Sequence, residues 1–288
     1  MNKLQGVWLP IVTPFWEDKI DYKAYKKLID YYTPKGITGL MPNGTTGECP
    51  TLDDYEFEEL LDKTVEFNDG RLPIYYGLGG NNTHKILKFL KIIEKYKVEG
   101  ILSVAPYYSR PDQNGMFRHF KMISDSTDLK IIIYNIPYRT GRNMENDTIL
   151  RLAESKNIVG IKDSCGNLNQ SMDLIFNKPD DFAVLTGEDV LYYINLVLGG
   201  DGGVLASSHL ETEKFVSVKK YMDENDHRAA LEVWKSMEGF ISLLFKEPNP
   251  APVKYCLAKK GLIGSDELRL PLAGISDNLK RELDQWLF

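Results

Sequence analysis

The sequence predicts an α/β fold, a (β/α)8 barrel with a C-terminal helical extension. Three observations lead there. Short apolar runs alternate with helically spaced patterns, and eight strand-then-helix units follow one another over about 220 residues, against roughly 250 for a typical (β/α)8 barrel. The alternation alone also admits a doubly wound sheet, but no GxGxxG turn follows the first strand, which weakens the dinucleotide-binding form of that sheet. From about Thr212 onward only helical patterns remain.

Val7–Thr13 reads as a buried first strand, blemished by Pro10, which argues for an irregular one. Tyr22 to Tyr32 has apolar residues at helical spacing. Ile37 to Met41 is a second short strand that runs into the turn-rich Pro42 to Glu48. Leu52 opens a helix reaching about Phe67, with acids crowded into its first turn, as the helix dipole favours. Pro73 to Gly77 is the third strand and Thr83 to Lys95 the third helix. Gly100 to Val104 is the fourth strand, followed by Pro106-Tyr107-Tyr108 and a helix from Gln113 to Asp125. Lys130 to Asn135 is nearly all apolar, as expected of a parallel strand covered on both faces. A helix at about Asn146 to Glu154 precedes the sixth strand, Asn157 to Ser164, where Val159 and Ile161 flank Gly160. Phe182 to Thr186 and Gly203 to Ala206 complete the series, with a helix from Asp189 to Leu198 between them. The tail reads as helices at Thr212 to Met222, Asp226 to Leu244, Ala251 to Lys260 and Asp277 to Trp286. No linker or low-complexity tract interrupts the chain, so the expected division is a barrel over 1–224 and a helical domain over 225–288.

The 288 residues are 43% hydrophobic and 26% charged, ordinary for a soluble globular protein with a sizeable core. A net charge of −6 argues against a surface that tracks nucleic-acid phosphates. No apolar run approaches the roughly 20 residues of a membrane span, and the first residues carry no signal-peptide core. Three scattered cysteines without a CxxC pair suit a reducing, cytoplasmic setting. The four His show no zinc-motif spacing, and no metal or cofactor is expected.

In such a barrel, functional groups lie at the C-terminal ends of the strands. Those ends supply Thr45, Thr46 and Glu48 after the second strand, and Tyr107 and Tyr108 after the fourth. They supply Tyr134 and Arg139 after the fifth, Lys162 at the sixth, Gly187 after the seventh and Val204 in the eighth. Lys162 stands out chemically. Desolvation at a strand end disfavours its ammonium form, and only the neutral amine attacks a carbonyl to form a Schiff base. The plainer alternatives are a lysine paired with a carboxylate, tyrosines that pack, threonines that cap a turn and a solvated arginine.

Several long segments carry a resemblance. Gly44-Thr45-Thr46-Gly47-Glu48 looks like the GTTGE signature of the dihydrodipicolinate synthase and N-acetylneuraminate lyase superfamily. Tyr134-Asn135-Ile136-Pro137-Tyr138-Arg139-Thr140-Gly141 is similar to its YN(V/I)PxRTG segment, and Ile161-Lys162-Asp163 to its Schiff-base lysine segment. Pro106-Tyr107-Tyr108 and Glu247-Pro248-Asn249-Pro250 match as well, in the same order along nearly the whole chain. The resemblance implies a (β/α)8 barrel with C-terminal helices, homotetramers built of tight dimers, and pyruvate as first substrate. The second threonine and the arginine point to the synthase branch, whose members condense pyruvate with aspartate semialdehyde on the route to lysine. It further implies roles. Lys162 forms the imine, Thr45 and Thr46 hold the pyruvate carboxylate, and Tyr134 relays protons. Thr45 bridges Tyr134 to Tyr108, a tyrosine that arrives from the neighbouring subunit in the family. Arg139 takes the semialdehyde carboxylate, and Gly187 and Val204 line the pyruvate pocket.

Two segments depart from the pattern. Tyr138 is bulkier than the small residue common before the family's arginine, and Gly202 to His209 differs from the usual eighth-strand segment. Both leave open a lyase acting on a 2-keto-3-deoxy sugar acid or N-acetylneuraminate. A barrel that keeps its fold without chemistry, as a sugar-acid sensor or scaffold, is the non-enzyme alternative. Intact Lys162, Tyr134 and Thr45 weigh against it.

Overall fold

The alternating apolar runs become short parallel strands in the computed structural model, which describes residues 4–287. Eight of them are β1 (Gly6–Leu9), β2 (Gly39–Leu40), β3 (Tyr75–Gly77), β4 (Gly100–Val104), β5 (Lys130–Asn135), β6 (Ile158–Asp163), β7 (Ala183–Thr186) and β8 (Gly202–Val204). The helices between them are α1 (Tyr22–Tyr32), α2 (Asp54–Asn68), α3 (Thr83–Ile93), α4 (Gln113–Ser124), α5 (Asn146–Ala153), α6 (Leu168–Asn177) and α7 (Tyr192–Val197). The tail adds α8 (Thr212–Asp223), α9 (His227–Lys235), α10 (Glu238–Leu244), α11 (Ala251–Lys259) and α12 (Asp277–Leu287). No helix among the described residues is long and apolar enough to cross a membrane.

By contact density the chain forms two compact units, one of residues 4–6 with Pro73–Val204, the other of Val7–Leu72 with residues 205–287. In the first unit the strand order is β8-β7-β6-β5-β4-β3 and every neighbouring pair is parallel. Ile131 to Asn135 are all buried, which is why β5 reads as an unbroken apolar run rather than an alternating one. In the second unit β1 pairs with β2 in parallel, Trp8 opposite Gly39. Phe15–Trp16 and Lys19–Ile20 form a small antiparallel hairpin. Its core gathers Trp8, Tyr25, Leu28, Phe215, Leu244 and Leu257, all but unexposed.

Helices α1, α3 and α4 and strands β4 and β5 lie at or within two residues of the ends their patterns predict. The differences have local causes. β1 stops at Leu9 because Pro10 has no N–H to donate, and the Ile11 N–H turns back onto the Leu9 carbonyl at 2.9 Å. α2 begins at Asp54, not Leu52: the acidic first turn is a capping box, in which Asp53 accepts from the Tyr55 and Glu56 N–H groups while Glu56 reaches back to the Asp53 N–H. The stretch Asp226 to Leu244 is two helices, not one. Ser236 ends the first by bonding its hydroxyl to the Val233 carbonyl at 2.7 Å, and Met237 leaves the helical conformation at φ −127°. α6, absent from the sequence reading, starts at an Asn167 cap that accepts from Asn169 and Gln170 N–H.

Candidate active site

In the first unit the site begins with register. β5 and β6 align Tyr134 opposite Lys162, with Ile133 opposite Ile161 one step back. Side chains alternate across a strand, so Tyr134 and Lys162 share one face while the two isoleucines pack, fully buried, on the other. The lysine is 6% exposed and the tyrosine 5%. The Lys162 Nζ lies 4.2 Å from the centroid of the Tyr134 ring. Among the described residues Lys162 makes no ion pair, so the paired-lysine alternative does not describe it.

Burial pulls the Lys162 amine down to about 8. The Asp189 and Glu188 carboxylates oppose that shift and the Arg139 charge adds to it. At pH 7 about one such amine in ten is neutral, against about one in 3,000 at the ordinary lysine value. Glu188 is itself pushed up to about 6, first by burial and then by the neighbouring Asp189 charge, with the Ser164 hydroxyl pulling the other way.

Gly187 follows β7, its N–H bonded to the Asp163 carbonyl at 2.7 Å. A Cβ at this position would meet the Ser164 Oγ at 2.3 Å and the Lys162 Cε at 2.5 Å. Only glycine leaves the lysine its channel, so Gly187 shapes the site by lacking a side chain. Val204 is buried in β8. Arg139 sits in the one-turn helix Pro137–Thr140 just after β5, exposed, its guanidinium 5.5 Å from the exposed ring of Tyr138. Tyr108 holds a left-handed backbone, φ 68°, and is 90% exposed. Within one chain its ring is turned to solvent and not into the Lys162 and Tyr134 cluster.

The threonines belong to the second unit. Thr45 is half-buried and Thr46 is buried, its hydroxyl accepting from the Asn249 amide at 2.9 Å. Glu48, a candidate for its strand-end position, is spent on Lys254: Oε1 lies 2.6 Å from Nζ with neither side chain exposed. Sequence reasoning missed Ser164, Glu188 and Asp189 around the lysine. Glu188 and Asp189 follow Gly187 directly, so the strand-end criterion would have found them.

The family model described as the dihydrodipicolinate synthetase family matches residues 3–287. The chain belongs to the dihydrodipicolinate synthetase family. It is 57% identical over 285 residues to 4-hydroxy-tetrahydrodipicolinate synthase 2 of Clostridium acetobutylicum, covering 99% of this chain and 100% of that one. It is 39% identical to the 4-hydroxy-tetrahydrodipicolinate synthase of Thermotoga neapolitana, covering 95% and 94%. The crystal structure of dihydrodipicolinate synthase from Aquifex aeolicus superposes with a TM-score of 0.96 at 33% identity, covering 99% of this chain and 97% of that one. The family likeness makes the eight parallel strands those of a (β/α)8 barrel with C-terminal helices, the fold class the alternation predicts. Lys162, Tyr134 and the Gly44 to Glu48 loop lie in segments that carry the resemblance to the family.

Proposed function

We infer that this chain condenses pyruvate with L-aspartate 4-semialdehyde through a Schiff base on Lys162, giving 4-hydroxy-tetrahydrodipicolinate for lysine and diaminopimelate biosynthesis. The observation that carries the chemistry is the in-register pair Tyr134 and Lys162, with a buried amine brought down to about 8 beneath a phenol face. The 57% identity to a synthase over its full length favours the semialdehyde over a sugar acid.

The steps follow from the groups. The neutral Lys162 amine attacks the pyruvate carbonyl carbon, and the carbinolamine loses water to an imine. The imine draws electrons from the methyl group, which gives up a proton and becomes the enamine nucleophile. That carbon attacks the semialdehyde carbonyl. The α-amino group that the semialdehyde already carries then attacks the imine carbon, closing the ring as the bond from that carbon to the Lys162 nitrogen breaks, and the lysine leaves as the free amine. Tyr134 is the group beside the nitrogen that can carry protons in and out. Thr45 and Thr46 take the pyruvate carboxylate, and Thr45 also serves the proton relay from Tyr134 to the Tyr108 that a second copy of the chain supplies. Arg139, exposed and unspent on any carboxylate among the described residues, takes the semialdehyde carboxylate as a planar fork of donors. Val204 and Gly187 line the pyruvate pocket. The barrel over 1–224 carries these groups and the helical domain over 225–288 supports them. The assembly is a cytoplasmic homotetramer of tight dimers.

A coupled assay decides the second substrate. Turnover with pyruvate and aspartate semialdehyde, and none with 2-keto-3-deoxygluconate, is the expected result; the reverse would overturn the synthase reading.

A further inference from the structure

The loop Gly44-Thr45-Thr46-Gly47-Glu48 is built against its own preferences. Asn43 and Glu48, at its two ends, both hold a left-handed backbone at φ 56°, a conformation uncommon outside glycine. Between them the turn closes on itself through Glu48 N–H to the Thr45 carbonyl at 3.1 Å and Cys49 N–H to the Gly44 carbonyl at 3.2 Å. A Cβ on Gly47 would press on the Asn43 nitrogen at 3.0 Å and the Ile11 carbonyl at 3.3 Å, so the turn has no slack there. A conformation of this kind persists only where its surroundings over-determine it.

The surroundings come from the tail of the chain. Lys254 on α11 holds Glu48 Oε1 at 2.6 Å, and the Arg269 backbone N–H holds Oε2 at 3.2 Å. The Arg269 guanidinium grips both oxygens of Glu56 at 2.6 Å and the Thr51 carbonyl at 3.2 Å, fixing the segment that leads from the loop into α2. Asn249, just ahead of α11, donates to the Thr46 hydroxyl at 2.9 Å. That contact occupies an oxygen lone pair and leaves the hydroxyl hydrogen to point at an acceptor, which is how a hydroxyl is oriented to donate to a carboxylate. A fully buried ion pair gives little net stability over apolar residues of the same shape, but it is directional and tolerates no lone partner. Its place behind the threonine turn fits a role in geometry rather than in stability.

We propose that the buried Glu48 and Lys254 pair, with Asn249, is a positioning device by which the C-terminal helices set the threonine loop for the pyruvate carboxylate. This rests on the reading of Thr45 and Thr46 as carboxylate ligands. The test is borohydride trapping of the imine across a pyruvate titration, read as the half-saturating concentration and as the final extent of labelling. Lys254→Met alone strands a buried carboxylate, and its folding can suffer. The informative variant is therefore the double Glu48→Gln/Lys254→Met, which leaves no lone charge. It is expected to melt within a few degrees of wild type, to reach full labelling, and yet to need about tenfold more pyruvate, with KM for the aldehyde within about twofold. A role in stability alone would restore the pyruvate response along with the melting temperature, and half-saturation within about twofold of wild type in the folded double variant would overturn the proposal. Thr46→Val separates the two layers. A raised half-saturation there with a normal double variant sinks the positioning role alone. An unchanged one in Thr46→Val sinks the carboxylate reading and this proposal with it.

Discussion

Lys162 destabilises the fold that holds it. Its amine titrates near 8 in the folded chain and near 10.5 unfolded, so between those values the native state binds fewer protons. Stability therefore rises with pH through that window, and the full penalty is present below about pH 8. Lys162→Met, close in volume and uncharged, is expected to abolish turnover while raising stability at pH 7 by on the order of 1–3 kcal/mol. Urea denaturation at pH 7 and again near pH 10 checks this; a gain that does not shrink with pH would refute desolvation as its source. Arg139 is the reverse case, an exposed charge with nothing to lose in the free enzyme. Arg139→Ala is expected to raise KM for the aldehyde roughly 10- to 150-fold, the size of one charge-assisted pair, while KM for pyruvate hardly moves. Equal changes in both would make it structural. Lys162, Tyr134 and Arg139 are candidates because strand ends in a barrel are where such groups act, and the register of β5 and β6 brings Lys162 and Tyr134 together. Lys254 was not legible in the sequence. A lysine at one position of a helix gives no sign of being unexposed, and its carboxylate partner is 206 residues away in sequence.

At the scale of elements, the patterns with one clear cause were read correctly. β5 is apolar throughout because both faces are covered, and α1 carries its apolar stripe from Tyr22 to Tyr32 as the spacing says. Boundaries failed where a side chain competes with the backbone, as Ser236 does after α9 and Asp53 before α2. Asp53 closes a capping box on the exposed start of α2, so Asp53→Ala is expected to cost about 1 kcal/mol. A shift in the denaturant midpoint with an unchanged slope would report it; no shift would mean the first turn is held by other contacts, such as the Arg269 grip on Glu56. The most consequential element was half-legible. α11 was placed within one residue, but nothing in its pattern showed that it anchors the threonine loop, because that link is made by tertiary contacts of Asn249 and Lys254 alone.

The whole molecule leaves Tyr108 at 90% exposure on a left-handed backbone, an aromatic offered outward. The part proposed for it in the proton relay calls for a second copy of the chain. A mixed oligomer of inactive Lys162→Ala and inactive Tyr108→Phe chains is expected to regain part of the activity; mixing confirmed by mass without any recovery would confine Tyr108 to its own chain. Whatever the assembly, the chemistry proposed for this chain depends on Lys162 being the amine that forms the imine. Borohydride reduction in the presence of pyruvate, followed by peptide mass spectrometry at a series of pH values, tests it most directly. A pyruvate-dependent adduct is expected on the peptide carrying Lys162, forming faster as pH rises with a midpoint near 8 and absent in Lys162→Ala. An adduct on another lysine, or undiminished labelling in Lys162→Ala, would contradict it.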